Sequence, residues 1–412
     1  MGLVQASIFD GSQRFFIDKP IRLIELFAGY GSQALALKYL GVPFEHWRIS
    51  EWAYKSIQAY KDIHFGDDET DYSEGLTSDE ITNFLFGCSI SANYNTPLTR
   101  QQIAHYSEKM RRTIYNNIKA TRNLGSICNI KAADLGITES DKYTYIMTYS
   151  FPCQDLSSAG SGLGMAKDSG TRSSLLWEVD RLLSECKTLP QVLLMENVPE
   201  VIGAKNMPNF AKWLARLENL GYRSKWKVLN ATDFNVPQNR KRCFMVSVLG
   251  DYFFDFPQAI GCELRLKDVL EDKVDERYYL KEGTIIALAE HKARHEAKGN
   301  GFGWKPIDPY GGGGYFARTI KTESGYRPDS NFILETPREG VSDGDECRLP
   351  SSGERRKGIR KSNASKCGNG DSVSEGFDGI MLGTSEKYTY PPLADTSRSI
   401  TSKGKNGVVE GR

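Results

Sequence analysis

No stretch of 18 consecutive apolar residues occurs anywhere in this 412-residue chain, whereas a bilayer-spanning helix needs about 20. The first residues, MGLVQASIFDGSQRFF, lack the basic-then-apolar layout of a secretory signal. Both absences predict a cytoplasmic protein with no membrane partner. The eight cysteines (Cys88, Cys128, Cys153, Cys186, Cys243, Cys262, Cys347 and Cys367) form no Cys-x-x-Cys pair. That argues against zinc ribbons and a disulfide framework, and no metal site is expected. An excess of one charge is missing too: 53 basic residues face 52 acidic ones. Net charge therefore neither demands nor excludes a nucleic-acid partner, because such binding depends on where the charge lies. Basic residues do cluster locally, in QNRKR (238–242) and GERRKGIRKSNASK (353–366).

With 39% hydrophobic residues, the chain is long enough for a large core and two domains. Its start reads as one β-α-β unit. IRLIELF (21–27) is a compact apolar strand, AGYGSQ (28–33) a glycine turn, ALALKYLG a helix closed by Gly41, and HWRISEWA (46–53) a second strand ending in Glu51. A polar, helix-leaning insertion follows at about 61–125, read as an accessory that the chemistry can do without. The alternation then resumes with a strand at 144–149, a loop, a helix over 173–185, a strand over 191–197, a helix over 207–221, and the strands RSKWKVLNA and RCFMVSVLG. Strands alternating with amphipathic helices predict an α/β fold with a doubly wound, mainly parallel sheet. After about 257 the composition turns rich in glycine, serine and lysine, with GGGG at 311–314 and short strands such as YFARTI and SNFILE. The expected division is a catalytic and cofactor-binding domain over 1–256 and a smaller, loop-rich region over 257–412.

Four signals carry chemistry. Gly29-Tyr30-Gly31-Ser32-Gln33-Ala34 fits the loose pattern G-x-G-x-x-A, with Glu51 about 20 residues on to accept hydrogen bonds from ribose hydroxyls. By itself it serves NAD, S-adenosylmethionine, or only a tight turn; Trp52 offers a face for adenine or is simply a core residue. In YSFPCQDLSSAG (149–160), Cys153 follows Pro152 where a strand hands over to a loop at the carboxyl edge of the sheet, the edge where open α/β sheets keep their chemistry. In LLMENVPEV, Glu196 ends an apolar strand, where burial raises a carboxyl pKa; capping or an ion pair is the plainer alternative. In VPQNRKRCFMV, Arg240 and Arg242 share one face of an emerging strand and Lys241 the other. Beside Gln238 they suit a phosphate or carboxylate, or form a solvated edge.

In chain order, FAGYGSQ, Glu51-Trp52, FPCQDLS, MENVPE and PQNRKR resemble the successive motifs of the DNA (cytosine-5) methyltransferases, over residues 21–249 apart from the insertion. The resemblance implies a methyltransferase fold with a DNA-recognition domain, S-adenosylmethionine as cofactor and double-stranded DNA as partner, in a restriction-modification pair or a phage protective role. It casts Cys153 as the nucleophile that adds to cytosine carbon 6, Glu196 as the acid that meets ring N3, and Arg240 and Arg242 as supports of the cysteine loop and the cytosine carbonyl. Phe27, Ala28, Gly29, Gly31, Ser32, Glu51, Trp52, Pro152 and, by a looser match, Asp134 and Leu135 of AADLG are expected at the cofactor. Gln154, Asn197 and Gln238 are expected at the substrate. Residues 157–170 are expected to close over a flipped-out base, and 257–405 to read the major groove.

The family's closing motifs, an Arg-x-Leu-Thr-x-x-Glu stretch and a final Gly-Asn-Ser-Val helix, are not found. CGNGDSV (367–373) echoes the second without apolar helical flanks. The expectation is a truncated or split enzyme that needs a complementing C-terminal chain. Three rivals stay open here: an RNA cytosine-5 methyltransferase, a catalytically impaired DNA-binding fragment, and a nicotinamide-dependent dehydrogenase. The last leaves Cys153, Glu196 and Arg240 without a shared role.

Overall fold

The structure is a computed structural model that describes residues 13–153, 156, 164–167, 169–271, 274–299, 304–309, 315–320 and 331–334. Gln154, the GGGG run, the basic run 353–366 and CGNGDSV, all singled out in the sequence, lie outside the described residues.

Along the chain run β1 (Gln13–Arg14), β2 (Ile21–Leu26), α1 (Ser32–Tyr39), β3 (Phe44–Ser50), α2 (Tyr54–His64), α3 (Ser78–Gly87), α4 (Arg100–His105), α5 (Glu108–Ala120) and β4 (Thr144–Tyr149). They are followed by α6 (Leu176–Glu185), β5 (Val192–Asn197), α7 (Met207–Asn219), β6 (Tyr222–Asn230), β7 (Gln238–Asn239), β8 (Lys241–Leu249), β9 (Tyr252–Phe253), α8 (Glu282–Glu296) and β10 (Ala317–Arg318). Six strands form the central sheet in the order β3-β2-β4-β5-β8-β6. The β3-β2-β4-β5 half is parallel, and β8 runs antiparallel between β5 and β6. All six residues of β2 and of β4 are buried, as expected of inner strands covered on both faces.

One face of the sheet is covered by α6 and α7. Leu176, Val179, Leu182 and Leu183 of α6, and Phe210, Trp213 and Leu217 of α7, recur at helical spacing and bury against Met147, Tyr149, Leu193 and Met195. On the other face α1 contributes Ala34 and Leu37 to a smaller cluster with Leu23, Ile146 and Val192. The rest of that face borders an open cleft of about 1990 Å³.

Register aligns the carboxyl ends of the strands. Leu26 lies opposite Ser50 and Tyr149, Tyr149 opposite Met195, and Asn197 opposite Cys243. The glycine turn, Glu51, the cysteine loop and Glu196 are thereby brought to one edge.

The insertion has well-capped helices: Thr77 with Glu80 at α3, and Thr99 with Gln102 at α4, form capping boxes. Read from its polar composition as an accessory insertion, it packs onto the rest of the fold. Its core of Ile81, Leu85, Ile90, Ile103, Ile114 and Ile118 closes over Ile57 of α2. Asn123 pairs strand-like with Ile49, and Ser91 with Ala53. Beyond residue 257 the described residues gather into two small clusters, Leu266 with Ile307, Ala317 and Ile333, and Leu280 with Leu288, Trp304 and Phe332. Pairing of β10 with β7 joins the first of these to the segment carrying Gln238. Among the described residues no helix is long and apolar enough to cross a membrane.

Candidate active site

The turn after β2 is built from backbone that few residues tolerate. Phe27, Gly29 and Gly31 all have positive φ (57°, 55° and 80°). At Gly31 even a methyl group is excluded: a Cβ would sit 2.6 Å from the Tyr60 ring and clash with His64. At Gly29 a Cβ meets nothing within 4 Å, so open space lies in front of the turn. Beneath it, Glu25 of β2 accepts hydrogen bonds from Ala34 N–H (3.2 Å) and Tyr60 Oη (2.6 Å). Burial pushes the Glu25 carboxyl up to about 7.

Glu51 sits at the end of β3, 8% exposed. Its two oxygens accept hydrogen bonds from Gly29 N–H (2.9 Å) and Ala53 N–H (2.8 Å). Burial raises its pKa to about 7, against the opposing pull of those main-chain donors. The backbone of Glu51 is gripped by Asn123, whose Oδ1 accepts Glu51 N–H (3.1 Å) and whose Nδ2 donates to Glu51 C=O (2.9 Å). Each Glu51 oxygen keeps a second acceptor site, so the carboxylate fits the hydroxyl pair of a ribose. Phe27, Ala28, Gly29 and Ser32 line the adjoining cleft. Trp52, half-buried, accepts Ser91 N–H on its carbonyl (2.7 Å).

The other half of the site gathers around Cys153. Its loop is pinned from two sides: Asn197 Nδ2 donates to Phe151 C=O (3.0 Å), and Ser173 Oγ donates to Pro152 C=O (2.7 Å). Burial pushes the Cys153 thiol above its ordinary pKa, while Arg242 pulls it down and Glu196 and Glu200 push it up. Glu196 is not the unpaired buried carboxyl suggested by its apolar strand. Its side chain is 21% exposed and forms an ion pair with Arg242 (Nε–Oε1 2.9 Å), because β8 inserts antiparallel beside β5. Arg240 is held below the usual guanidinium pKa, first by burial and then by Arg242, with Glu196 and Cys153 opposing. Glu196, Arg240, Arg242 and Gln238 all line the same cleft as the glycine turn. Lys241 is exposed, in keeping with the expected alternation.

Three expected residues are committed elsewhere in the fold. Leu135 is fully buried in the core under α6 and α7, and its carbonyl accepts Trp47 Nε1–H (2.8 Å). Asp134 is exposed and caps its own turn by accepting Lys131 N–H (2.8 Å). Asn197 is 2% exposed, with its amide spent on Phe151 and Val198; it supports the cysteine loop instead of facing a substrate.

Sequence reasoning missed Glu25, Tyr60, Asn123 and Ser173. Only Glu25 left a signal, as a lone acid in an apolar strand. Among the described residues no group of three or more His, Cys, Asp or Glu is placed to hold a metal ion.

The family model of the C-5 cytosine-specific DNA methylases matches residues 99–386. The type II methyltransferase M2.ScrFI of Lactococcus lactis subsp. cremoris is 39% identical over 271 residues, which is 64% of this chain and 71% of that protein. The orphan methyltransferase M.SssI of Spiroplasma monobiae is 36% identical over 277 residues, 66% of this chain and 71% of its own length.

Proposed function

Because the chain belongs to the family of C-5 cytosine-specific DNA methylases and is a DNA (cytosine-5)-methyltransferase, we propose that it works through a covalent adduct between Cys153 and a cytosine turned out of duplex DNA. The observation that carries this reading is the convergence of Cys153, Glu196, Arg240 and Arg242 at one edge of the sheet, in electrostatic contact with one another, with Glu196, Arg240 and Arg242 on the same cleft as the glycine turn.

Methyltransferases generally use S-adenosylmethionine, which when bound supplies an electrophilic methyl group. The nucleoside end fits Glu51, whose position is set by main-chain donors and by Asn123. The cleft, about 1990 Å³, exceeds the roughly 300–1,000 Å³ of an ordinary small-molecule site and leaves room for a cofactor beside a base.

Cytosine carbon 5 is a poor nucleophile until a group adds to carbon 6. The Cys153 sulfur forms that bond as its thiolate, a state that burial opposes and the nearby Arg242 cation favours. The π electrons of the carbon 5–carbon 6 bond shift toward N3, where Glu196, which must first leave Arg242 and take up a proton, donates that proton and recovers it on elimination. Carbon 5 then becomes the nucleophile for the methyl group that bound S-adenosylmethionine would supply, with S-adenosylhomocysteine as the leaving group. Loss of the carbon 5 proton to a base then re-forms the double bond and expels the thiolate. Arg240 and Arg242 orient Cys153 and the cytosine carbonyl. The region from 257, joined to Gln238 through β10, reads the groove; most of the 157–170 segment, expected to close over the base, lies outside the described residues.

Duplex DNA carrying 5-fluorocytosine tests the mechanism, because fluorine at carbon 5 blocks the elimination that frees the enzyme. A denaturation-resistant adduct mapped to Cys153 is expected with substrate DNA and cofactor. Methyl transfer by Cys153→Ala at the parent rate is the result that would overturn the reading.

A further inference from the structure

The insertion reaches the cleft through a seven-residue loop, Ser91 to Pro97. Ser91 staples it to the segment that follows Glu51: its N–H donates to Trp52 C=O (2.7 Å), and its carbonyl accepts Tyr54 N–H (3.1 Å). Within the loop, Ser91 Oγ donates to Thr96 C=O (2.8 Å), and Asn93 Oδ1 accepts the N–H groups of Asn95 (2.9 Å) and Thr96 (3.1 Å). On its far side Asn95 Oδ1 accepts Arg172 Nη1–H (2.7 Å), from the residues that follow the cysteine loop. The loop thus spans from the cofactor side of the site to the base side.

At its tip stands Tyr94, with φ 60°, a left-handed conformation that bulky residues avoid. The ring is 48% exposed and lines the cleft together with Gly29, Tyr30 and Ser32. Its hydroxyl is fixed at 2.8 Å from Ser56 Oγ at the start of α2. Burial, with Glu51 and Tyr30 close enough to add to it, raises the phenol pKa. A large apolar ring held half-open, beside a buried carboxylate and in strained backbone, is costly if it has nothing to contact.

We propose that Tyr94 is a cofactor-contacting residue, whose ring walls the nucleoside end of the pocket beside Glu51. The insertion would then complete the binding site through this one side chain. The proposal rests on the reading of Glu51 and the glycine turn as the cofactor seat.

Calorimetric titration with S-adenosylhomocysteine tests it on the parent protein, Tyr94→Gly and Tyr94→Phe, alongside thermal melting of each without ligand. Glycine adopts φ 60° without strain, so Tyr94→Gly should melt at or above the parent temperature while binding about 10-fold more weakly, the effect of losing one aromatic stacking partner. Tyr94→Phe keeps the ring and should stay within about threefold of the parent. Parent-like affinity in Tyr94→Gly overturns the proposal. So does a lowered melting temperature in that variant, which would make Tyr94 a support of the loop. A parent that does not bind S-adenosylhomocysteine sinks the cofactor reading itself, and Tyr94 with it.

Discussion

Glu51 and Glu196 occupy comparable places, each at the carboxyl end of a parallel strand on the same edge of the sheet, yet they are held in opposite ways. Glu51 is 8% exposed, with one oxygen on a main-chain N–H of the glycine turn and the other on that of Ala53 at the start of α2. Glu196 keeps 21% of its side chain open and is held by one guanidinium, that of Arg242. A carboxylate tied to backbone is preorganised for binding, whereas one tied to a side chain can change partner when a base arrives. Under the proposed mechanism, the half around Glu51 is built to hold and the half around Glu196 to exchange.

Variants that hit one half and spare the other sharpen this contrast. The largest effect is expected from Cys153→Ala, which should reduce methyl transfer by on the order of 10⁴-fold or more, as loss of a catalytic nucleophile does. Affinity for S-adenosylhomocysteine should be unchanged, and a parallel loss of both would erase the division. Glu196→Gln keeps shape but cannot supply a proton; turnover should fall by about 10²-fold with DNA affinity, read by gel shift, near that of the parent.

A pH series probes the cofactor half. The Glu51 carboxyl titrates at about 7 in the folded protein, so its charged, hydroxyl-accepting form is complete above that pH and lost as pH falls through it. Cofactor affinity should therefore rise roughly 10-fold from pH 6 to pH 8, the change in ionised fraction around such a pKa. The rise should vanish in Glu51→Gln, and a flat parent profile would show that the carboxylate does not meet the ligand.

The smallest effects come from the two buried amides that grip the site from behind. Asn123→Ala strips both main-chain partners from Glu51, and Asn197→Ala frees the Phe151 carbonyl before Cys153. Each leaves buried groups unpaired, at about 1–3 kcal/mol apiece, visible as a melting temperature lowered by several degrees. The first should weaken cofactor binding more than turnover at saturation, and the second the reverse. Identical profiles for the two would break the comparison.

Much of the architecture was legible because its signals are local. The strand-turn-helix order around Gly29 and Gly31 follows from an apolar run, two closely spaced glycines and a helix repeat. The same periodicity located β4, β5, α6 and α7 within a few residues. The looser match at Asp134 and Leu135 shows the limit of such reading. AADLG resembles a cofactor motif, but only packing could reveal that Leu135 points into the core and that Asp134 caps its own turn. The insertion shows the same limit: its polar surface is visible in the sequence, while the hold of Asn123 and Ser91 on the residues around Glu51 is not.

The sequence by itself determined the order of the principal strands and helices between 21 and 249, the glycine turn and the residue types at the sheet edge, because these depend on periodicity and on what each residue's backbone tolerates. The tertiary structure alone decided the partners: Asn123 on Glu51, Arg242 on Glu196, Asn197 behind the cysteine loop and Tyr94 over the cleft. The physical reason is that a buried polar group must find a partner wherever the fold brings one within hydrogen-bond distance, and no local pattern records which distant segment that is.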